Sequence, residues 1–299
     1  MTNQPTPPAV HPLARVALET TLLLHGVPRD EARPLALRLA TIVRNQGAVP
    51  LLAGVVRGRP AVGLNDHQLD ELLAAPSVRK LNTANLGVAL ARGEHGATTV
   101  STTMELAAGA GVGVFATGGI GGAHVAPPGA PALDVSADLH AFTRFPVAVI
   151  ASGVKSILDV AGTREMLETL GVPVIGYRTD DFPAFYLRRA DADVAPVDAR
   201  FDDIPSLAAY VRRELARSRR GIVICNPIPA EHELALDDWR RWLADARAAT
   251  SDVSGRDVTP RLLAELHRVS SGATLRANIA LVESNAQLAG QLAHAMVQR

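Results

Sequence analysis

Short apolar runs alternate along the chain with longer segments whose apolar positions recur every three or four residues. The first run, RVALETTLLL (residues 15–24), predicts a strand that ends at the turn His25-Gly26. Between residues 30 and 45, Leu35, Leu39, Ile42 and Val43 fall at helical spacing, and Gly47 follows as a stop. AVPLLAGVV and RPAVGL then predict a β-hairpin, and Asn65 or Asp66 caps a short helix, HQLDELLAA. Residues 101–111 read as a helix, VGVFAT (112–117) as a buried strand and GGIGG (118–122) as a loop. Strand VAVIAS (147–152) runs through Gly153-Val154-Lys155 into a helix over 156–170. Strands VPVIGY (172–177) and GIVIC (221–225) come later, the second ended by Asn226-Pro227. The C-terminal stretch is helical, with Ile279, Leu281, Val282, Leu288 and Leu292 along one side.

Continuously apolar strands separated by amphipathic helices predict an α/β fold, with a central, mainly parallel (mixed) sheet covered on both faces. Ligands in such folds sit beyond the carboxyl ends of the strands. The residues just after VGVFAT, VAVIAS and GIVIC therefore form the candidate rim. We expect a Pro-rich disordered tail over 1–13 and a single domain over 14–299, with a small excursion around 187–220.

Composition narrows the function classes. Thirty Lys+Arg against thirty Asp+Glu give zero formal charge, which argues against a nucleic-acid partner. Aromatics at 4% leave little for stacking bases. The single cysteine, Cys225, excludes an intrachain disulfide and a Cys-rich metal site, and reads as a small buried hydrophobe. No apolar run is long enough to span a bilayer, and residues 1–12 lack the pattern of a signal peptide. The expectation is a cytoplasmic protein acting on a small molecule.

Four features carry candidate chemistry. Thr117-Gly118-Gly119-Ile120-Gly121-Gly122-Ala123-His124 follows a strand, where glycines let a backbone approach an anion or simply turn tightly. Lys155 is placed at a strand end and helix start, where positive charge is disfavoured. It is a candidate neutral amine that attacks a carbonyl, or a point charge for phosphate. Asp134 and Asp138 are spaced i, i+4; on a helix they would share a face and suit a hard cation, or one of them would cap. Glu19 interrupts an apolar run, as a buried acid with a raised pKa or as half of an ion pair. His25 and His124 follow predicted strands and are candidates to touch a ligand. Neither HExxH nor GxSxG occurs.

The motifs ALETTLLLHGVP (17–28), HGATTVSTTMELAAGAGVGVFATGGIGGAH (95–124), DVSADL (134–139) and SGVKSILDV (152–160) resemble the pseudouridine-5′-phosphate glycosidase family. So do LETLGVPVIGYRTDDFPAFY (167–186), NPIP (226–229) and GATLRANIALVESNAQLA (272–289), in the family's order. The resemblance implies cleavage of a C–C glycosidic bond, giving uracil and ribose 5-phosphate, through an imine between a lysine and the ring-opened ribose. It implies Lys155 as nucleophile and Glu19 as proton donor. It also implies Asp134 on a Mn²⁺ ion, with Lys80, Val100, Ser136, Ala137, Asp138 and Asn278 around the substrate. Thr117, Gly118, Gly119 and His124 join them as substrate-binding candidates, and the family's homotrimer comes with the same resemblance. Two departures stand out. Leu81 and Asn82 follow Lys80 where the family has a serine and arginines, and Val125, followed by a Pro-Pro-Gly insertion, stands where an arginine is frequent. A neutral side chain does not replace a bidentate arginine on phosphate. A C-glycosynthase running the same chemistry in synthesis and a non-catalytic sugar-phosphate or nucleoside binder are the competing expectations.

Overall fold

The apolar runs assemble into one ten-stranded sheet. The computed structural model describes residues 13–125, 134–190, 195–250 and 258–298. All of the predicted tail but Leu13, and the Pro-Pro-Gly insertion, lie outside these residues. The first half of the chain holds β1 (Arg15–Leu18), α1 (Thr21–His25), α2 (Arg29–Asn45), β2 (Val49–Val56), β3 (Arg59–Val62), α3 (Asp66–Ala74), β4 (Arg79–Leu81), α4 (Leu86–Ala91), β5 (Gly96–Thr98) and α5 (Val100–Gly109). Then come β6 (Val114–Ala116), α6 (Ala137–Arg144), β7 (Ala148–Ala151), α7 (Val160–Thr169), β8 (Val174–Tyr177), β9 (Ala199–Phe201) and α8 (Ile204–Ser218). The chain finishes with β10 (Ile222–Cys225), α9 (Leu236–Ala249), α10 (Val258–Val269) and α11 (Ala273–Val297).

Strands follow the order β4-β5-β2-β1-β6-β7-β10-β8-β9, with β3 paired to β2 off this path. Only the pairings of β2 with β3 and with β5 are antiparallel, so the sheet is mixed but mainly parallel, as the pattern predicted. β2 changes partner along its length: Val49 to Leu52 pair with β1, and Ala53 to Val56 pair with β3. All residues of β7 and β10 are buried, which their uniformly apolar composition requires of central parallel strands. Phe115 of β6 is fully buried among them, and truncating such a ring to alanine costs ~3–5 kcal/mol. Helices α2, α8 and α11 pack together as one layer, and α5 and α6 pack together as another. On α11, Leu281, Val282, Leu288 and Leu292 are buried as their spacing predicted, while Ile279 is only partly covered.

Two boundaries differ from the sequence reading. The strand expected over 15–24 ends at Leu18, and residues 21–25 form a helix. The cause is tertiary: the Thr20 hydroxyl donates to the Ala53 carbonyl (2.9 Å) and accepts from the Thr98 N–H (3.0 Å). That pins the chain where β2 turns away to its other partners, so a β-branched, leucine-rich run becomes a turn of helix. The helix expected from 156 starts instead at Val160, because Asp159 caps the Gly162 N–H at 2.8 Å. Asn65, not Asp66, caps α3, completing a capping box with Gln68.

Candidate active site

The carboxyl ends of β1, β4, β5, β6 and β7 open onto one cleft of about 620 Å³. A smaller inner cavity of about 50 Å³ adjoins it, and Glu19, Thr21, His25, Lys80 and Lys155 line both. The outer cleft also takes in Val100, His124, Asp134, Ser136, Ala137 and Asp138. The inner one adds Thr117, Gly118, Gly119 and Asn278. Every candidate residue named from the sequence therefore faces this one space.

The glycine loop positions Lys155. Residues 118–123 run beside 152–159: Ser152 N donates to Gly118 O (2.9 Å), Ile120 N to Gly153 O (3.0 Å), Lys155 N to Ile120 O (3.2 Å) and Asp159 N to Ala123 O (2.9 Å). Lys155 thus lies five residues before α7, and the helix-terminus argument for it does not hold. What surrounds it instead is charge, namely Glu19 and Lys80. Gly153 has φ +70°, and a Cβ there would sit 1.7 Å from the Pro183 carbonyl oxygen, so only glycine fits this turn.

Asp138 holds the loop from the other side. Its Oδ2 accepts from Gly121 N and its Oδ1 from Ser101 N, both at 2.9 Å. A Cβ on Gly121 would lie 2.3 Å from Ser136 Oγ, which is why the loop can approach so closely. The N–H groups of Ile120, Gly121 and Ala123 are thereby spent inside the protein, so the loop acts first as a brace for Lys155 and Asp138.

The i, i+4 carboxylate pair is not formed. Helix α6 begins at Ala137 with Ser136 as its cap, Asp134 lies outside the helix, and both Asp138 oxygens are occupied. Among the described residues no group of three or more His, Cys, Asp or Glu side chains could hold a metal ion. Asp134 remains as a single exposed carboxylate, 3.9 Å from His124 Nε2.

Glu19 is half-buried and accepts a hydrogen bond from the Thr117 hydroxyl. Burial raises its pKa above the ordinary carboxylate value, against the lowering effect of Lys155 and of the Thr117 hydrogen bond. Burial and then the neighbouring Lys155 hold the Lys80 ammonium below the usual lysine range. Lys80 is the middle residue of β4; Asn85 Nδ2 donates to its carbonyl (3.3 Å), and just beyond the strand Asn82 Oδ1 accepts from Ala84 N and Asn85 N (3.0 and 3.2 Å). Asn82 thus stands in the outer cleft wall as an Asx turn in place of a cation. Arg79 is nearby, but its guanidinium is paired with Glu94 at 3.1 Å.

Sequence reasoning missed three groups. Thr21 was assigned to a strand, Phe185 of the inner cavity carries no motif signal, and Asn285 was passed over. Asn285 is fully buried; its Nδ2 donates to Thr117 O (2.8 Å), Gly118 O (3.3 Å) and Ser152 Oγ (3.2 Å), and its Oδ1 accepts from Asn226 Nδ2 (2.9 Å). Its position two helical turns after Asn278 on the same face of α11 was the available signal.

Comparison with known proteins identifies relatives over nearly the whole chain. The family model described as indigoidine synthase A like protein matches residues 10–295. The chain is 46% identical to a pseudouridine-5′-phosphate glycosidase of Symbiobacterium thermophilum, covering 94% of this chain and 92% of that one. It is 45% identical to the enzyme of the same name from Methylobacterium nodulans, over 94% and 83% of the two chains. Among solved structures, an indigoidine synthase A-like protein from Thermotoga maritima superimposes with TM-score 0.86 at 35% identity, covering 95% of this chain and 93% of that one. The prealnumycin C-glycosynthase AlnA, solved with ribulose 5-phosphate, gives TM-score 0.84 at 35% identity, over 94% and 91%. On fold, site motifs and near full-length similarity, this chain belongs to the indigoidine synthase A-like family and stands with the pseudouridine-5′-phosphate glycosidases.

Proposed function

We propose that this protein is a lysine-dependent C-glycosidase that converts pseudouridine 5′-phosphate and water to uracil and ribose 5-phosphate. The observation that carries the reading is that Lys155 and Glu19 line both the outer cleft and the inner cavity. A bond broken between a sugar in one and a base in the other lies between these two side chains. A carbon leaving group has no bridging oxygen to protonate, so an ordinary pair of carboxylates is insufficient. Lys155 Nζ bonds C1′ as the C1′–O4′ bond of the sugar ring opens. Glu19, whose pKa burial raises, gives its proton to the base carbon. The C–C bond then breaks, the nitrogen lone pair completing a C=N bond to C1′. Water hydrolyses that imine, freeing the lysine and the sugar aldehyde and returning a proton to Glu19.

Around this centre, Thr117, Gly118, Gly119 and Asn278 receive the base in the inner cavity. Lys80, Val100, Ser136, Ala137, Asp138 and His124 receive the sugar phosphate in the outer cleft. Asp134, exposed and beside His124, fits a mostly hydrated divalent cation such as Mn²⁺, which keeps several waters and needs only one or two carboxylates. Held there by Asp134, such an ion would offset phosphate charge at the cleft mouth. A chelator is expected to lower activity and added Mn²⁺ to restore it. The family resemblance supports a homotrimer, to be checked by light scattering. Among the described residues no helix is long and apolar enough to cross a membrane.

The test is a borohydride trap with ribose 5-phosphate, read by intact mass and peptide mapping. One reduced sugar-phosphate adduct on Lys155 is expected; an adduct on another residue, or none in folded protein, overturns the reading. The likeness to AlnA favours one second reading, bond formation from ribose 5-phosphate and a ring acceptor. The same groups serve both directions, and comparing the rates of bond formation from ribose 5-phosphate with uracil and with larger ring acceptors separates the readings.

A further inference from the structure

Helix α1 presents two polar atoms with no hydrogen-bond partner among the described residues. Thr21 Oγ1 and His25 Nε2 are both buried and both unbonded. At i and i+4 they stand one above the other on the same helix face. Both residues line the outer cleft and the inner cavity, together with Glu19, Lys80 and Lys155. Buried polar atoms are almost always satisfied, so a vacant pair on one face of a site calls for a partner from within it. The chemistry of that partner follows from the ring. The Val78 carbonyl favours a proton on the imidazole, and the vacant nitrogen is Nε2. The tautomer with its proton on Nδ1 therefore leaves Nε2 as an acceptor. Burial and the adjacent Lys80 hold the ring's pKa below the ordinary histidine value, so it stays neutral in the working range. A neutral acceptor beside a hydroxyl matches a ligand hydroxyl, and does not match phosphate.

The reaction proposed above, on which this inference rests, fixes which hydroxyl is near. The carbon joined to Lys155 must lie where the two cavities meet, and the hydroxyl on the next carbon, C2′, is then also there. The geometry points to Thr21 and His25 as the residues that hold the 2′-hydroxyl of the sugar: His25 Nε2 accepts its proton, and Thr21 Oγ1 donates to its oxygen. They are positioning residues that select ribose over 2-deoxyribose and fix C1′ against Lys155.

The test compares the rates at which ribose 5-phosphate and 2-deoxyribose 5-phosphate are trapped on Lys155 by borohydride, read by intact mass of the full chain. Deoxyribose opens to its aldehyde more readily, so the informative quantity is the change in the ratio between wild type and variant. Thr21→Val and His25→Leu are each expected to lower the ribose-to-deoxyribose ratio about tenfold, the scale of one lost hydrogen bond. His25→Gln, which keeps a polar group near the Nε2 position, should restore part of it. Ratios unchanged in both variants, with both sugars still trapped, would overturn the assignment. No adduct with either sugar in wild type would instead remove the imine reading, and this inference with it. Thr21→Val is nearly isosteric, so the comparison stands even if His25→Leu does not fold.

Discussion

Asn278 and Asn285 lie two turns apart on α11, both buried and chemically identical. Asn285 makes hydrogen bonds to Thr117, Gly118 and Ser152 and receives one from Asn226. Asn278 Oδ1 has no hydrogen-bond partner among the described residues. The same contrast divides the whole site. Its rear, around Asn285, Asn226, Ser152 and Asp138, spends its polar groups on holding backbone in place. Its front, at Thr21, His25 and Asn278, keeps polar atoms vacant. A satisfied buried group is scaffold, and a vacant one in a cleft wall awaits a ligand, because leaving it unpaired costs ~1–3 kcal/mol.

The largest effect that sharpens this contrast is expected at Lys155. Lys155→Ala should reduce turnover below ~1% of wild type while the unfolding midpoint stays in place, since the side chain carries no fold-stabilising bond. Retained turnover would erase the distinction between front and rear. Next comes Glu19→Gln, with kcat lower by ~10²–10⁴ and the sugar adduct on Lys155 still formed. The folded pKa of Glu19 lies above 4.5, so the folded state keeps a proton that the unfolded chain releases. Stability from this group is therefore lost as pH rises from the unfolded value toward the folded one. Activity should also fall as pH rises through the folded pKa. Both dependences should disappear in Glu19→Gln, and pH-resolved melting and kcat profiles check them.

Smaller and opposite effects are expected for the two asparagines. Asn285→Ala takes the donor from the Thr117 carbonyl and one of two acceptors from the Asn226 amide, which keeps Ser284 Oγ, and should cost ~2–4 kcal/mol in denaturant unfolding. Asn278→Ala should change stability by no more than ~0.5 kcal/mol, since the atom removed had no partner to lose, and should instead raise KM. If both variants lose the same stability, the vacancy at Asn278 has no functional meaning.

Much of this was legible in the residues alone. The apolar tetrapeptides of β7 and β10 can only be central parallel strands, and the motif-bearing residues Glu19, Lys80, Lys155 and Asp138 do converge on one rim. Long-range register was not legible. Nothing local to RVALETTLLL reveals that Thr20 is bonded to Ala53 and Thr98, so the turn into α1 was read as strand, and the vacant Thr21 hydroxyl was hidden with it. The spacing of Asp134 and Asp138 leaves open a shared helix face or a cap, because it does not reveal that Ser136 caps the helix between them. The departure after Lys80 was visible as a missing arginine, but its replacement by an Asx turn needed the fold.

Phe185 has a consequence of its own. Its backbone is left-handed (φ 58°), its N–H donates to Ser152 O at 2.8 Å, and its ring lies over Gly119, where an added Cβ would come within 2.5 Å. That ring forms part of the wall of the inner cavity, so in the proposed reading its bulk helps to limit the leaving ring the cavity admits. Heredity can therefore act on the two halves of this site separately. A lineage can trade one aromatic acceptor for another through changes at a single bulky residue while its sugar chemistry passes down untouched, and directed evolution toward new C-glycosides has its first position to randomise.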